Sequence, residues 1–335
     1  MAPFLDQPLE AGVSSSTGPV SKTESKFVPD DQPKSSKSPV PPVYEFDART
    51  CTATDLVEAL KVSGGVVVRN MLKPEEVAQI DADVRPWLDQ DVPWNGDFFP
   101  PETRRAFGLV GKSKTFATRL VGHELWLEVV DALLTSEVSS WVGDKNEASV
   151  SKPQLNNTIV FSIGPGARDQ SLHRDDLIHH CQHRSVAHHE MGRDSGIGLF
   201  VAGKKTTKAN GATRFIPGSH LWDYGDGPAR EDQTSYAELD PGDAFILLSG
   251  CYHGGSANRT RDEERLVFSC FFTRSYLRQE ENQYLANDWD RIRELPDWLQ
   301  ERVGWGLSRP FLGWVNLSNP MVLLHPEEQK YKDLF

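Results

Sequence analysis

Two histidines and an aspartate define the chemistry this chain is equipped for. The stretch Gln170-Ser171-Leu172-His173-Arg174-Asp175 follows a β-type run and the turn GPGARD. In an extended strand, residues two apart point to the same side, so His173 and Asp175 are placed to face one metal ion. A second histidine, His253, stands in SGCYHGG at the end of the apolar run DAFILLSG, 80 residues further on (253 minus 173). Two imidazoles and one carboxylate occupy one face of an octahedral metal and leave positions open, which suits a non-haem iron(II) oxygenase. A closed structural zinc site calls for four protein ligands instead. The plain alternative is a chance His-x-Asp triplet with a buried, hydrogen-bonded histidine elsewhere.

Arg265 lies 12 residues after His253 (265 minus 253), in DEERLVFSC. Its planar fork matches a carboxylate bidentately, with Arg259 and Arg261 as rivals for that role. Thr213, in NGATRFIPGSH, offers a hydroxyl to the same anion, and Gln170 offers an amide. Their alternatives are a β-favouring strand residue and a turn residue. Asp176 should point to the strand face opposite Asp175 and bond nearby backbone. His220, in PGSH, is read as structural, closing the turn after FIP. The insert from His179 to Asp194 carries His179, His180, Cys181, His183, His188 and His189. It reads as a polar lid with incidental metal affinity rather than a zinc site.

These side chains need a scaffold. Residues 1 to about 42 are rich in Ser, Pro, Lys and Asp with few large apolar groups, which predicts a disordered tail. Residues 43–335 read as one domain, because no polar linker divides them. Thr52 or Thr54 is placed to cap a helix over DLVEALKVSG, which Gly64-Gly65 stops before the β-rich VVVRNML. KPEEVAQIDADVRPWLDQ predicts a second helix, with Pro74 at its first position and Val77, Ile80 and Val84 on one face. HELWLEVVDALLT predicts a third. From about residue 148 short β-type runs follow: SVSKPQLNNTIVFSI, SGIGLFVAG, GATRFIP, DAFILLSG and RLVFSCFF. Many short strands between Gly/Pro turns predict a sandwich or barrel. Pro241-Gly242 suits a type II turn ahead of DAFILLSG. Helical patterns return over NDWDRIREL and PDWLQERVGWG, so the fold class is mainly β with flanking helices.

With 335 residues the chain is long enough to bury a sizeable core. Its net charge of -12 argues against nucleic acid and anionic membrane surfaces as partners. No run approaches the roughly 20 apolar residues of a membrane span. MAPFLDQPLEAG lacks the basic start and apolar centre of a secretion signal. The four cysteines have no CxxC spacing and read as reduced thiols of a cytoplasmic protein.

LHRDD at 172–176, NGATRFIPGSHLW at 210–222, PGDAFILLSGCYHGGSANRT at 241–260, Arg265 and PPETRRAFGLVGKS at 100–113 together carry a resemblance. They resemble the phytanoyl-CoA dioxygenase (PhyH) family of iron(II)/2-oxoglutarate enzymes, in particular a fungal branch that modifies secondary metabolites. The resemblance spans roughly residues 50–290. It implies a double-stranded β-helix, a jelly-roll, cupin-like barrel whose mouth holds the metal. It further implies Fe(II) on His173, Asp175 and His253, and the distal carboxylate of 2-oxoglutarate on Arg265 and Thr213, with Gln170 beside them. O2 is then a co-substrate, succinate and CO2 are products, and ascorbate is a stimulant. The substrate is a small natural product that undergoes hydroxylation, desaturation or rearrangement, and the assembly is a homodimer. Because Asp175 is a carboxylate, no ligand position is vacated for chloride, which argues against a halogenase of this family. The nearest alternative is an acyl-CoA 2-hydroxylase of the phytanoyl-CoA type. That reading wants a basic patch for the CoA phosphates, and only Lys204, Lys205 and Lys208 offer one. Outside enzymes, the alternative is a cupin-like protein that holds a metal or metabolite without oxidising it.

Overall fold

The computed structural model describes residues 40–93, 96 and 99–332. Apart from Val40–Pro42, the expected tail therefore lies outside the described residues. The first helix, α1 (Ala53–Ser63), starts where the sequence places its cap. The Thr52 hydroxyl accepts the Asp55 N–H at 3.2 Å, and the Thr52 N–H donates to the Asp55 carboxylate at 2.9 Å. This reciprocal pair satisfies two N–H groups that a helix start otherwise leaves bare. Gly64 ends the helix at φ +74, where a side chain would also meet the His220 ring. Helix α2 (Pro74–Gln90) buries Val77, Ile80, Val84 and Leu88 along one face. Helix α3 (Glu124–Leu134) buries Trp126, Val129, Val130, Leu133 and Leu134.

Twelve strands follow the chain: β1 (Tyr44–Asp47), β2 (Gly65–Arg69), β3 (Thr103–Phe107), β4 (Ser136–Val142), β5 (Lys145–Ser151), β6 (Gln154–Ile163), β7 (Gly196–Ala202), β8 (Thr213–Phe215), β9 (Ser235–Ala237), β10 (Ala244–Leu248), β11 (His253–Gly255) and β12 (Arg265–Thr273). Seven form a large sheet in the order β1-β2-β10-β7-β12-β6-β3, and three form a small sheet, β11-β8-β9. Apart from the parallel β1–β2 pair, the ladders of these sheets are antiparallel.

The large sheet is apolar on both faces, which explains why its central strands read as unbroken hydrophobic runs rather than alternations. On β10, Ala244, Ile246 and Leu248 join the helices in one core, while Phe245 and Leu247 pack with Phe215 and Cys251 in a second, smaller cluster. The result is the double-stranded β-helix core with helices outside it. Gly242 sits at φ +89, as the turn before β10 requires.

Two expectations change. SVSKPQLNNTIVFSI is not one run: Lys152-Pro153 breaks it, because proline cannot donate to a ladder, and β5 pairs with β4 as a separate hairpin. The last helical pattern becomes a short helix at Asp297–Gln300 that continues as a wider π-turn over Glu301–Trp305. Among the described residues no helix is long and apolar enough to cross a membrane.

The mouth of the barrel is tied to α2 by charge. Glu264, next to Arg265, accepts from Arg85 and from Lys204, each at 2.6 Å, and from Ser162. Burial alone would raise its carboxyl, but those hydrogen bonds outweigh burial and hold it at about 2. A carboxyl depressed on folding contributes stability above its unfolded value of about 4.3, and that contribution is lost as pH falls towards 2. Glu264→Gln is expected to cost about 1 kcal/mol of unfolding free energy at pH 7. The gap should shrink steadily below about pH 4, as measured by urea titrations of both proteins across that range. A gap that stays constant with pH would refute the tether.

Candidate active site

One β-bridge brings the two histidines together. His173 and His253 exchange both backbone hydrogen bonds, each at 2.9 Å. The spacing predicts an extended strand through Asp175, and here the structure differs. Only His173 is bridged, and Asp175 opens a 3-10 turn (Asp175–His179) with its N–H on the Ser249 carbonyl at 2.9 Å. Arg174 between them remains extended, at φ -114 and ψ 136, so both side chains still leave on one side.

The donor atoms converge. Asp175 Oδ1 lies 3.4 Å from His173 Nε2, and Asp175 Oδ2 lies 3.4 Å from His253 Nε2. Each imidazole is fixed from behind: Nδ1 of His173 bonds the Ser171 carbonyl at 2.8 Å, and Nδ1 of His253 bonds the Cys251 carbonyl at 3.0 Å. A carbonyl only accepts, so each Nδ1 carries the proton and each Nε2 is left with its lone pair, as a metal ligand requires. Burial pushes the Asp175 carboxyl up, but His253 and His173 outweigh it and hold the group below the usual carboxylate range. Three donors with these features fit a divalent metal.

All six residues singled out from the sequence line one cavity of about 150 Å³: His173, Asp175, His253, Thr213, Gln170 and Arg265. Arg265 is 5% exposed. It donates to Thr213 Oγ1 at 2.8 Å, and its Nε has no hydrogen-bond partner among the described residues. Burial pushes this guanidinium down to about 10, still cationic at neutral pH. A buried cation without a counter-charge costs several kcal/mol, a cost that an anion bound beside it would offset. The rivals lie outside: Arg259 and Arg261 are exposed, and Arg259 reaches Asp169 at 3.5 Å. Gln170 is braced, its Oε1 accepting the Gly255 N–H at 2.9 Å.

Several cavity residues escaped the sequence reading. On β6, Asn157, Ile159, Phe161 and Ile163 alternate into the cavity, and Arg265, Val267 and Phe271 do the same on β12. Period-two counting from Arg265 would have found most of them. Glu280 and Arg168 lie on irregular chain and left no such signal. Arg214, next to Thr213, bonds the carbonyls of Gly255 and Gln170 at 2.6 and 2.7 Å and so clamps the Gln170 segment to β11.

Asp176 does not bond backbone; its Oδ2 accepts the Tyr224 hydroxyl at 2.5 Å, a partner 48 residues away in sequence, and burial raises its carboxyl to about 6. His220 is structural, with Nε2 on the Lys61 carbonyl at 3.1 Å. Within the histidine-rich insert, His189 Nε2 pairs with Asp194 at 2.6 Å, and His179 Nε2 with the Arg278 carbonyl at 3.1 Å.

Gly255 lets the Gln170 side chain approach β11. A Cβ there would meet Gln170 Oε1 at 2.9 Å. Gly255→Ala is expected to break the brace and cost about 1–2 kcal/mol. Combined with Gln170→Ala, which removes the obstructing amide, it should cost little beyond Gln170→Ala alone. Chemical denaturation of the two single variants and the double checks this, and strict additivity would exclude the contact.

Comparison with known proteins agrees with this geometry. The phytanoyl-CoA dioxygenase (PhyH) family model matches residues 60–267, a span that includes the three donors and Arg265. "Dioxygenase peniF" of Penicillium patulum is 41% identical over 285 residues, covering 84% of this chain and 92% of that protein. "Dioxygenase cnsJ" of Penicillium expansum is 40% identical over 280 residues, covering 83% and 84%. Among solved structures, SnoK, a non-heme alpha ketoglutarate dependent carbocyclase from nogalamycin biosynthesis, superposes with a TM-score of 0.50 at 15% identity. That likeness covers 67% of this chain and 87% of SnoK and supports the fold. With its barrel, its donor set and these relatives, the chain belongs to the phytanoyl-CoA dioxygenase family and is an oxidoreductase of the dioxygenase kind.

Proposed function

We propose that the chain is an iron(II)- and 2-oxoglutarate-dependent dioxygenase that oxidises a medium-sized, mostly apolar natural-product intermediate. The observation that carries this reading is one cavity holding both a three-donor metal set and a buried guanidinium without a carboxylate partner. His173, Asp175 and His253 would hold the iron and leave its remaining positions to small ligands. Iron bound there, with 2-oxoglutarate and O2, supplies an oxidant able to attack an unactivated C–H bond while the keto acid becomes succinate and CO2. Ascorbate is expected to stimulate turnover.

The protein's own part is placement. Arg265 and Thr213 receive the distal carboxylate of the keto acid, a charge-assisted contact in a low-dielectric site. Gln170 stands beside them, with no hydrogen bond from its Nε2 to the described residues. Phe161, Phe200 and Phe271 form an apolar wall that excludes water and favours an apolar substrate. Glu280 breaks that wall. Its backbone N–H is held by Asn156 at 2.8 Å and its Oε2 by Asn157. Its Oε1 accepts nothing from the described residues and suits an N–H or ammonium group of the substrate. An acyl-CoA substrate fits less well: Lys204 is paired with Glu264, Lys205 lies near Asp240, and Lys208 sits over Tyr236. Four free thiols suit a reducing compartment, the cytoplasm.

Anaerobic addition of iron(II) and 2-oxoglutarate should give a weak visible charge-transfer band. Arg265→Gln is expected to keep iron binding but raise the 2-oxoglutarate concentration at half-formation at least ~100-fold, because breaking a buried ion pair costs about 3–5 kcal/mol. An unchanged midpoint in that variant, or no band and no succinate from the natural protein, would sink the proposal. Glu280→Gln should raise KM about tenfold for a substrate carrying a protonated nitrogen. It should leave kcat and the KM of a neutral analogue near their original values. Equal effects on both substrates would rule out recognition by Glu280.

A further inference from the structure

Behind the three donors the chain gathers a second set that the oxidation does not use. The turn Asp175–His179 ends at His180, whose φ is +56. This reversal carries Cys181 and His183 back to the Asp176 side chain. One donor atom from each of Asp176, Cys181 and His183 lies within 4.8 Å of the other two. Asp176 is 2% exposed. With its Oδ2 taken by Tyr224, its Oδ1 is buried without a hydrogen-bond partner among the described residues, and so is Nε2 of His183.

A bare polar atom inside a protein is costly, and native structures fill such positions with water or an ion. The donor chemistry favours the ion. Water would satisfy the oxygen and the nitrogen but gain little from a thiol. A carboxylate, a thiolate and an imidazole together form the mixed oxygen, sulfur and nitrogen set that zinc accepts. The spacing is also local: Cys181 is five positions after Asp176 (181 minus 176) and His183 two positions after Cys181 (183 minus 181). The three donors therefore come from one short segment, which Tyr224 and Ser249 hold from distant chain.

We propose that Asp176, Cys181 and His183 form a second divalent-metal site, taken by zinc, with water completing its shell. The thiol releases its proton to solvent as the ion binds. The ion clamps the start of the histidine-rich insert directly after His173 and Asp175. Asp175 and Asp176 both donate their N–H groups to the Ser249 carbonyl, at 2.9 and 3.2 Å. An ion on Asp176 thus steadies the turn that presents Asp175.

Cobalt(II) reports this site through sulfur, and the test does not depend on the oxidation. His173, Asp175 and His253 contain no sulfur, so a thiolate-to-cobalt charge-transfer band in the near ultraviolet can come only from a cysteine ligand. The full chain, stripped with a chelator and reloaded, is expected to bind two equivalents of cobalt(II), counted by elemental mass spectrometry, and to show that band. His173→Ala should lose one equivalent and keep the band. Cys181→Ser should lose one equivalent and the band together, and His183→Ala should weaken both, while added zinc(II) quenches the band in the natural protein. A single equivalent with no band in the natural protein overturns the site and leaves the pocket to water. Two equivalents without a band, or a band that survives Cys181→Ser, overturn it as well. The measurement on the natural protein decides the matter even if a variant fails to fold.

Discussion

Two backbone hydrogen bonds between His173 and His253 hold the site together. They join segments 80 residues apart in sequence (253 minus 173) and close the mouth of the barrel at the point where the three candidate donors stand. Each imidazole is set by a bridge to the other strand and by a carbonyl two residues before it, Ser171 for His173 and Cys251 for His253. The side chains are thus as rigid as the ladder, which is the requirement for a site whose donors must stay within a fraction of an ångström of their places.

The remaining architecture makes that mouth affordable. An uncompensated guanidinium and the Glu280 carboxyl, which burial raises, both oppose folding. The large sheet offsets them by being apolar on both faces, with α1, α2 and α3 covering one side and Phe215, Phe245 and Leu247 filling the other. Polar groups that cannot be neutralised inside are braced instead. Arg214 spends its donors on two carbonyls and on Glu231, and Arg174 lies between the rings of Tyr224 and Tyr252, at 3.9 and 3.8 Å. Arg214 and Arg174 are therefore fixed charges beside the site.

Much of this was legible from residue order because it is local. Thr52, one of two threonines offered as a cap, Pro74 at a helix start and Gly242 in a turn are each decided within a few positions, and the structure places all three in those roles. The convergence of His173, Asp175 and His253 was legible as a chemical set, and the fold supplies the geometry. What escaped depends on distant partners. Strands β1, β3, β9 and β11 have three to five residues each and take their identity from neighbours in the sheet rather than from any periodicity. The Asp176 hydroxyl partner comes from 48 residues away. Glu280 enters the cavity from chain without regular structure, held by two asparagines of a strand more than a hundred residues earlier.

Strand β6 divides its labour by parity. Asn157, Ile159, Phe161 and Ile163 look into the cavity, while Leu155 and Val160 belong to the packed core, and Thr158 and Ser162 anchor Glu281 and Glu264. Changes at the odd-numbered positions from 157 to 163 reshape the chamber without loosening the scaffold. The even-numbered positions between them bear on the scaffold and leave the chamber alone. Descendants of one ancestral barrel can thus drift towards new molecules by exchanging alternate residues of a single strand, while selection for stability acts on the residues in between.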